Sequence, residues 1–208
     1  MTIHSQFVAQ TQEDIHAQAE LLASVMRADL EWIKEGLSRV GISKANPNQC
    51  LYYLSYHNDA ECIKFFIPLS DPTNNHSEAL RTAVQYGNPL SVALLLPVSA
   101  PRDCQDVLCE IAEQAVEDTT DEWLNALAIC LNIAPAWAAK ALRYVVENDC
   151  TVVAHILYPY LTIESVEEIL EKTKDCQNTT HQEIHTRFKL EAIKFERDFS
   201  AQSHIKKL

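Results

Sequence analysis

Leu51 to Pro72, LYYLSYHNDAECIKFFIPLSDP, and Leu80 to Pro101, LRTAVQYGNPLSVALLLPVSAP, are two copies of one pattern set 29 residues apart. Leu51/Leu80, Pro68/Pro97, Ser70/Ser99 and Pro72/Pro101 coincide without a gap. A third copy, LRYVVENDCTVVAHILYP from Leu142 to Pro159, lies 62 residues beyond the second, which is two periods of about 31 residues. A chain written this way is built of units that cannot bury their apolar faces alone and must stack on their neighbours.

Each copy reads as a helix, a turn, a second helix and a proline-bearing loop. In the second copy Ser77 is placed to cap a helix on which Leu80, Ala83 and Val84 share one face. Gly87-Asn88-Pro89 stops that helix and starts the next, whose apolar residues are Val92 and Leu94 to Leu96, and Pro97 ends it. Asn58 takes the place of Gly87 in the first copy, so a left-handed turn residue is expected at both. Ala28 to Leu37 runs in register with Asn58 to Ile67. Between the second and third copies, Asp106 to Pro135 keeps two helices but lengthens the second, Glu122 to Ile133.

The pattern resembles the ankyrin repeat, whose consensus runs T-P-L-H-x-A, then Gly-His at the inter-helix turn, then V-V-x-L-L-L. Leu80, Ala83, Gly87, Val92 and Leu94 to Leu96 fall on it in the second copy, and Leu51, Asn58, Asp59 and CIKFFI in the first. Leu142, Asp149, Val153, Ile156 and Leu157 follow in the third. The T-P-L-H tetrapeptide is nowhere intact, and prolines 68, 97 and 159 replace the terminal glycine. The resemblance implies an all-α fold: a short α-solenoid of stacked antiparallel helical hairpins, ankyrin-like, with capping helices at both ends. The expected organisation is one domain over residues 1–208, with capping helices in 1–47 and 161–208 and repeats in 48–160. At the ends, Ile15, Ala19, Leu22, Met26, Leu30, Ile33 and Leu37 form a helical stripe within Glu13 to Val40, as one helix or two broken near Arg27-Ala28. Ile184, Phe188, Ala192, Phe195 and Phe199 form another within Thr180 to Gln202, after a charged helix from Glu164 to Lys174.

The charge pattern narrows the partners. The formal charge is −12, and Asp103 to Ala139 carries eight acidic residues and no Lys or Arg. That argues against direct phosphate-backbone binding, which needs clustered cations, and it suits attraction of a basic protein surface. No apolar run approaches the 18 or so residues of a membrane-spanning helix, and the first residues lack the pattern of a secretory leader. Of seven cysteines, Cys62, Cys109, Cys130 and Cys150 lie inside apolar patterns, which points to reduced thiols in a cytoplasm, its own or a host's.

Catalytic motifs are missing: there is no GxSxG, P-loop or GxGxxG. Cys176, His181 and His185 are a candidate metal set, but HQEIH displaces the glutamate of HExxH and no fourth ligand is evident. Cys150 and His155 lie at i, i+5, about 140° apart around a helix, and do not meet. No cofactor and no metal is expected. The expected function is non-catalytic protein recognition. Tyr52, Tyr56, Arg81 and Gln85, with Arg143 and Glu147 further along, would occupy successive rungs of the ankyrin-like concave face. Asp103, Asp106, Glu110 and Glu113 would add an acidic surface. Tyr53, Phe65 and Phe66 read as core. Divergent repeats of this size look like those of bacterial or viral ankyrin-like proteins, many of which act on a host protein. Three other readings stay open: an acidic inhibitor filling a basic nucleic-acid-binding groove, an enzyme with a Cys/His site, and an oligomer built on the Phe188/Phe195/Phe199 helix.

Overall fold

The structure is a computed structural model and describes residues 12–42, 44–176 and 178–190. Those residues are helical, with no strand among them. The chain divides into two compact units, Met1–Ala100 and Pro101–Leu208.

The first unit contains α1 (Gln12–Met26), α2 (Leu30–Val40), α3 (Pro47–Leu54), α4 (Ala60–Phe66), α5 (Asn74–Gln85) and α6 (Pro89–Leu95). Alternate helices pack together: α3 lies against α1 and α5, and α4 against α6, while α1/α2, α3/α4 and α5/α6 form hairpins. The break at Arg27-Ala28 is present, so the N-terminal stretch is two helices. Its buried face is Leu21, Ser24 and Val25, whereas Ile15, Ala19 and Met26 are exposed, contrary to the expected stripe. Gly36 explains the choice: a Cβ there would sit 3.1 Å from Leu21 Cδ1 and 3.4 Å from Leu21 Cα, so α2 meets α1 closely at Leu21 and buries that side.

The hairpin turns are made by backbone bonds that recur from unit to unit. Ala28 and Gly87 are left-handed, with φ of 52° and 67°. In both turns a left-handed residue bonds three back and its successor bonds five back: Ala28 N–H to Val25 O at 3.0 Å and Asp29 N–H to Ser24 O at 3.1 Å, Gly87 N–H to Val84 O at 3.1 Å and Asn88 N–H to Ala83 O at 2.9 Å. This is the Schellman closure, which satisfies the last carbonyls of the first helix. Asn58 does not join them, since its φ is not positive. There α3 ends at Leu54 and unwinds through Tyr56 N–H to Tyr53 O and His57 N–H to Leu54 O, spreading the reversal over residues that stay right-handed or extended. Because alanine in the left-handed region costs roughly 1 kcal/mol, Ala28→Gly is expected to raise stability by about 0.5–1 kcal/mol, read as a shift in the urea midpoint.

The matched serines and prolines end the second helices. Pro68 and Pro97 sit in 3₁₀ turns, Ile67–Leu69 and Leu96–Val98, which continue α4 and α6. Ser70 Oγ–H donates to Phe66 O and Ser99 Oγ–H to Leu95 O, both at 2.8 Å. Cys62 and Ser91, likewise 29 apart, reach the preceding turn: Cys62 Sγ to Ala28 O at 3.5 Å and Ser91 Oγ to His57 O at 2.8 Å. Ser77 closes the kink from which the regular turns of α5 run. Asn75, His76 and Ser77 are all left-handed (φ 51°, 57° and 51°), and the buried Ser77 Oγ accepts the Ala100 N–H at 3.2 Å.

The second unit contains α7 (Pro101–Glu117), α8 (Asp121–Ile133), α9 (Ala138–Glu147), α10 (Thr151–Leu157), α11 (Ile163–Lys172) and α12 (residues 179–190). Here α9 packs on α7 and α11, and α10 on α8. The lengthened second helix is α8, 13 residues against 7 in α4, α6 and α10. The α9–α10 turn repeats the Schellman pair, with Asp149 at φ 54°, its N–H 3.2 Å from Val146 O, and Cys150 N–H 3.1 Å from Val145 O. Thr162 and Ser165 cap α11 reciprocally. Thr180 is buried and its N–H donates to Asp149 Oδ1 at 2.7 Å, tying the start of α12 to that turn; of the expected stripe Ile184 is buried and Phe188 only half-buried. Ala192, Phe195 and Phe199 lie outside the described residues.

Candidate interaction surface

In the first unit the tyrosines converge. Tyr52, on α3, and Tyr56, just after it, are a turn apart, and their hydroxyls hydrogen-bond. The Tyr53 ring centroid lies 5.2 Å from that of Tyr52, and Tyr56 meets Tyr86 edge-on at 4.5 Å. The Tyr52 hydroxyl bond, with desolvation and the neighbouring phenols, pushes the Tyr56 phenol up to about 12, so it stays a neutral hydrogen-bonding group. Tyr52, Tyr53 and Tyr56 are half-buried, while Tyr86 is 55% exposed.

Tyr86 was missed in the sequence, although it directly precedes Gly87 and follows Gln85. It caps the end of α5, and the α3–α5 contact brings it to Tyr56. Arg81 and Gln85 are exposed one turn apart on α5, and Arg81 Nη2 donates to Asn75 O at 3.4 Å. Of the residues read as core, Phe66 is fully buried, but Tyr53 and Phe65 are only half-buried. A cleft of about 480 Å³ opens beside the tyrosines, between the starts of α3 and α5. It is lined by Asn46, Asn48 and Gln49, by Asn74 and Glu78, and by Tyr52 and Tyr53.

Of the four acidic residues expected on the surface, three share one side of α7 at i, i+4 and i+7. Asp106 and Glu110 are exposed on α7 and Glu113 is half-buried, but Asp103 is only 7% exposed and leaves the set. Its spacing is the reason: Asp103, Val107 and Ile111 follow at i, i+4, i+8 on the face α7 buries. A carboxylate in the first turn is also favoured there by the helix dipole. Arg143 and Glu147 pair with each other at 2.8 Å on α9.

The candidate histidines have contacts of their own. His181 and His185 stack with centroids 6.2 Å apart, and His181 Nε2 lies 3.3 Å from Leu170 O. His155 Nε2 is 3.4 Å from Glu183 Oε2, and Cys150 stands at the start of α10. Among the described residues no three His, Cys, Asp or Glu side chains are grouped to hold a metal ion. None of the described helices is by itself long and apolar enough to cross a membrane. Compared with models of known protein families, with curated proteins and with solved structures, the chain matches none of them.

Proposed function

We propose that the protein is a non-catalytic recognition scaffold of ankyrin-like helical hairpins that binds another protein, preferentially one with a basic surface. The observation that carries the reading is the aromatic patch of Tyr52, Tyr56 and Tyr86, assembled from two successive hairpins and flanked by exposed Arg81 and Gln85. Tyrosine and arginine dominate binding hot spots because they supply large, stiff contact area with a polar tip. The patch ends in solvent, with Tyr86 more than half exposed. The exposed Asp106 and Glu110, together with the net charge of −12, favour encounter with a cationic partner.

The fold reading rests on the recurring Schellman turns, the serine-capped proline turns and the alternate-helix packing inside each unit. An effector or inhibitor acting in a host cytoplasm is the setting that the resemblance suggests. The test is capture of binding proteins by wild type and by Tyr86→Ala, a change at an exposed site that leaves the core intact. A captured partner is expected to bind the variant about 30-fold more weakly, as for a hot-spot loss of about 2 kcal/mol, with an unchanged circular dichroism spectrum. Equal retention by both proteins removes the patch from the interface.

A further inference from the structure

The tyrosine patch continues through Tyr52 into the cleft between the starts of α3 and α5, and the lining of that cleft is chemically selective. We propose that it holds an extended segment of the partner, with a lysine or arginine side chain seated against Glu78. This rests on the protein-recognition reading and names the partner chemistry at the same surface.

Asn46 is used within the wall, its Oδ1 accepting the Gln49 N–H and its Nδ2 donating to Gln49 Oε1, both at 3.4 Å, and Asn48 Oδ1 is likewise taken. The amide N–H groups of Asn48 and Gln49 and the carboxamide of Asn74, a donor and an acceptor in one plane as a peptide bond is, are presented to the cleft. An extended main chain, with no hydrogen bonds of its own, is the ligand that such side chains satisfy. No Lys or Arg lines the cleft, so a phosphate or carboxylate ligand would enter without a counter-charge. The single charge is Glu78, half-buried, whose Oε2 accepts the Asn75 Nδ2–H at 2.8 Å. That leaves Oε1 to accept from an ammonium or guanidinium, and half-burial strengthens such a pair over one on open surface. The Tyr52 and Tyr53 rings beside it offer faces on which the aliphatic stem and the cation can lie.

The cleft wall is held at a cost. Asn75, His76 and Ser77 form three consecutive left-handed residues without a glycine, a strain on the order of 1 kcal/mol or more each. Two bonds pin the neighbouring lining: Asn48 Oδ1 accepts the Asp71 N–H at 2.7 Å, and Ser77 Oγ accepts the Ala100 N–H at 3.2 Å. A wall built this way is set before any ligand arrives, which reduces the ordering cost of binding.

The test is panning of a random heptapeptide display library on wild type, Glu78→Gln and Tyr86→Ala. Glu78→Gln keeps an oxygen to accept the Asn75 bond, so the wall stays in place. Wild type is expected to enrich peptides with Lys or Arg at one fixed position. A synthetic peptide of the consensus should bind at least ten-fold better than its Lys→Ala version. Glu78→Gln should erase that preference, while Tyr86→Ala, outside the cleft, should keep it. No enrichment, enrichment without a basic position, or an unchanged preference in Glu78→Gln overturns the proposal. If the cleft fails while partner capture still depends on Tyr86, the recognition reading stands without it; if capture is also independent of Tyr86, the patch falls as well.

Discussion

Phe66→Ala is expected to cost about 4 kcal/mol, within the range for truncating a fully buried aromatic ring, whereas Phe65→Ala should cost about 1–2 kcal/mol because its ring is only partly removed from water. The two stand side by side in the sequence and in space, with ring centroids 5.5 Å apart and planes near perpendicular. Only Phe66 is closed off completely, at the end of α4 where that helix packs on α6 and where Ser70 Oγ bonds the Phe66 carbonyl. Removing its ring leaves a cavity in a site closed to solvent, just before the 3₁₀ turn that holds Pro68. A loss of 4 kcal/mol is a large part of the 5–15 kcal/mol that typically holds a domain folded. Amide exchange across α3 to α6 in the full chain, with urea titration, reads both variants. Equal losses would place Phe65 in the core beside Phe66 and undo the assignment of the two faces of α4.

What was legible in the sequence was whatever repeats. Leu51/Leu80, Ser70/Ser99 and Pro68/Pro97 mark the same buried leucine, the same serine-to-carbonyl bond and the same 3₁₀ turn in each copy, because a repeated environment demands a repeated side chain. The long α8 followed from the same register, while one helix or two remained open for the N-terminal stretch until the break at Arg27-Ala28 decided it. The misreadings occur where a local choice was decided by tertiary packing. Asn58 is compatible with a left-handed turn, but α3 stopped early and the turn found a right-handed route. The apolar stripe of α1 offered Ile15, Ala19 and Met26, yet close approach at Gly36 selected the face with Leu21 and Val25. Neither decision is encoded in a propensity.

The candidate site was legible in its residue types and not in its geometry. Tyr52 and Tyr56 were singled out by the density of aromatic residues there and by the concave face that the ankyrin resemblance implies, and they do meet. Tyr86 completes the patch because α5 packs on α3, a contact that residue spacing within one helix does not reveal. Asp103 failed for the opposite reason. Counting charges placed it among the acidic surface residues, while its i, i+4, i+8 relation to Val107 and Ile111 placed it inside. The cleft was invisible in the sequence, since its walls come from residues 46–49 and 74–78 and owe their position to three left-handed residues that no composition rule anticipates.

The thiols give the second large effect, in reactivity and in alkaline stability. Burial pushes Cys50, Cys62 and Cys104 up to about 11 and Cys130 up to about 12, with the carboxylates of Asp59 and Asp103 adding to the effect at Cys62 and Cys104. All four are essentially inaccessible, and three donate to backbone carbonyls: Cys50 to Ala45, Cys62 to Ala28 and Cys130 to Cys104. At pH 8 a thiol near 11 is about one part in a thousand thiolate, and the thiolate is the nucleophile. Iodoacetamide at pH 8 is therefore expected to modify exposed Cys176 at least 100-fold faster than these four. Their contribution to stability has a definite sign. The unfolded thiols ionise near 9.0, so between that pH and 11–12 the folded chain holds protons the unfolded chain has lost. The stabilisation is whole below pH 9 and is lost as pH rises through 11, when unfolding exposes all seven thiols to the reagent. Other groups titrate in the same range, and Cys130→Ala separates them: its urea midpoint should fall less steeply than that of wild type between pH 9 and 11. Labelling of Cys130 at pH 8 as fast as that of Cys176 would mean that α8 opens readily from α7 and that the second unit is far looser than its packing implies.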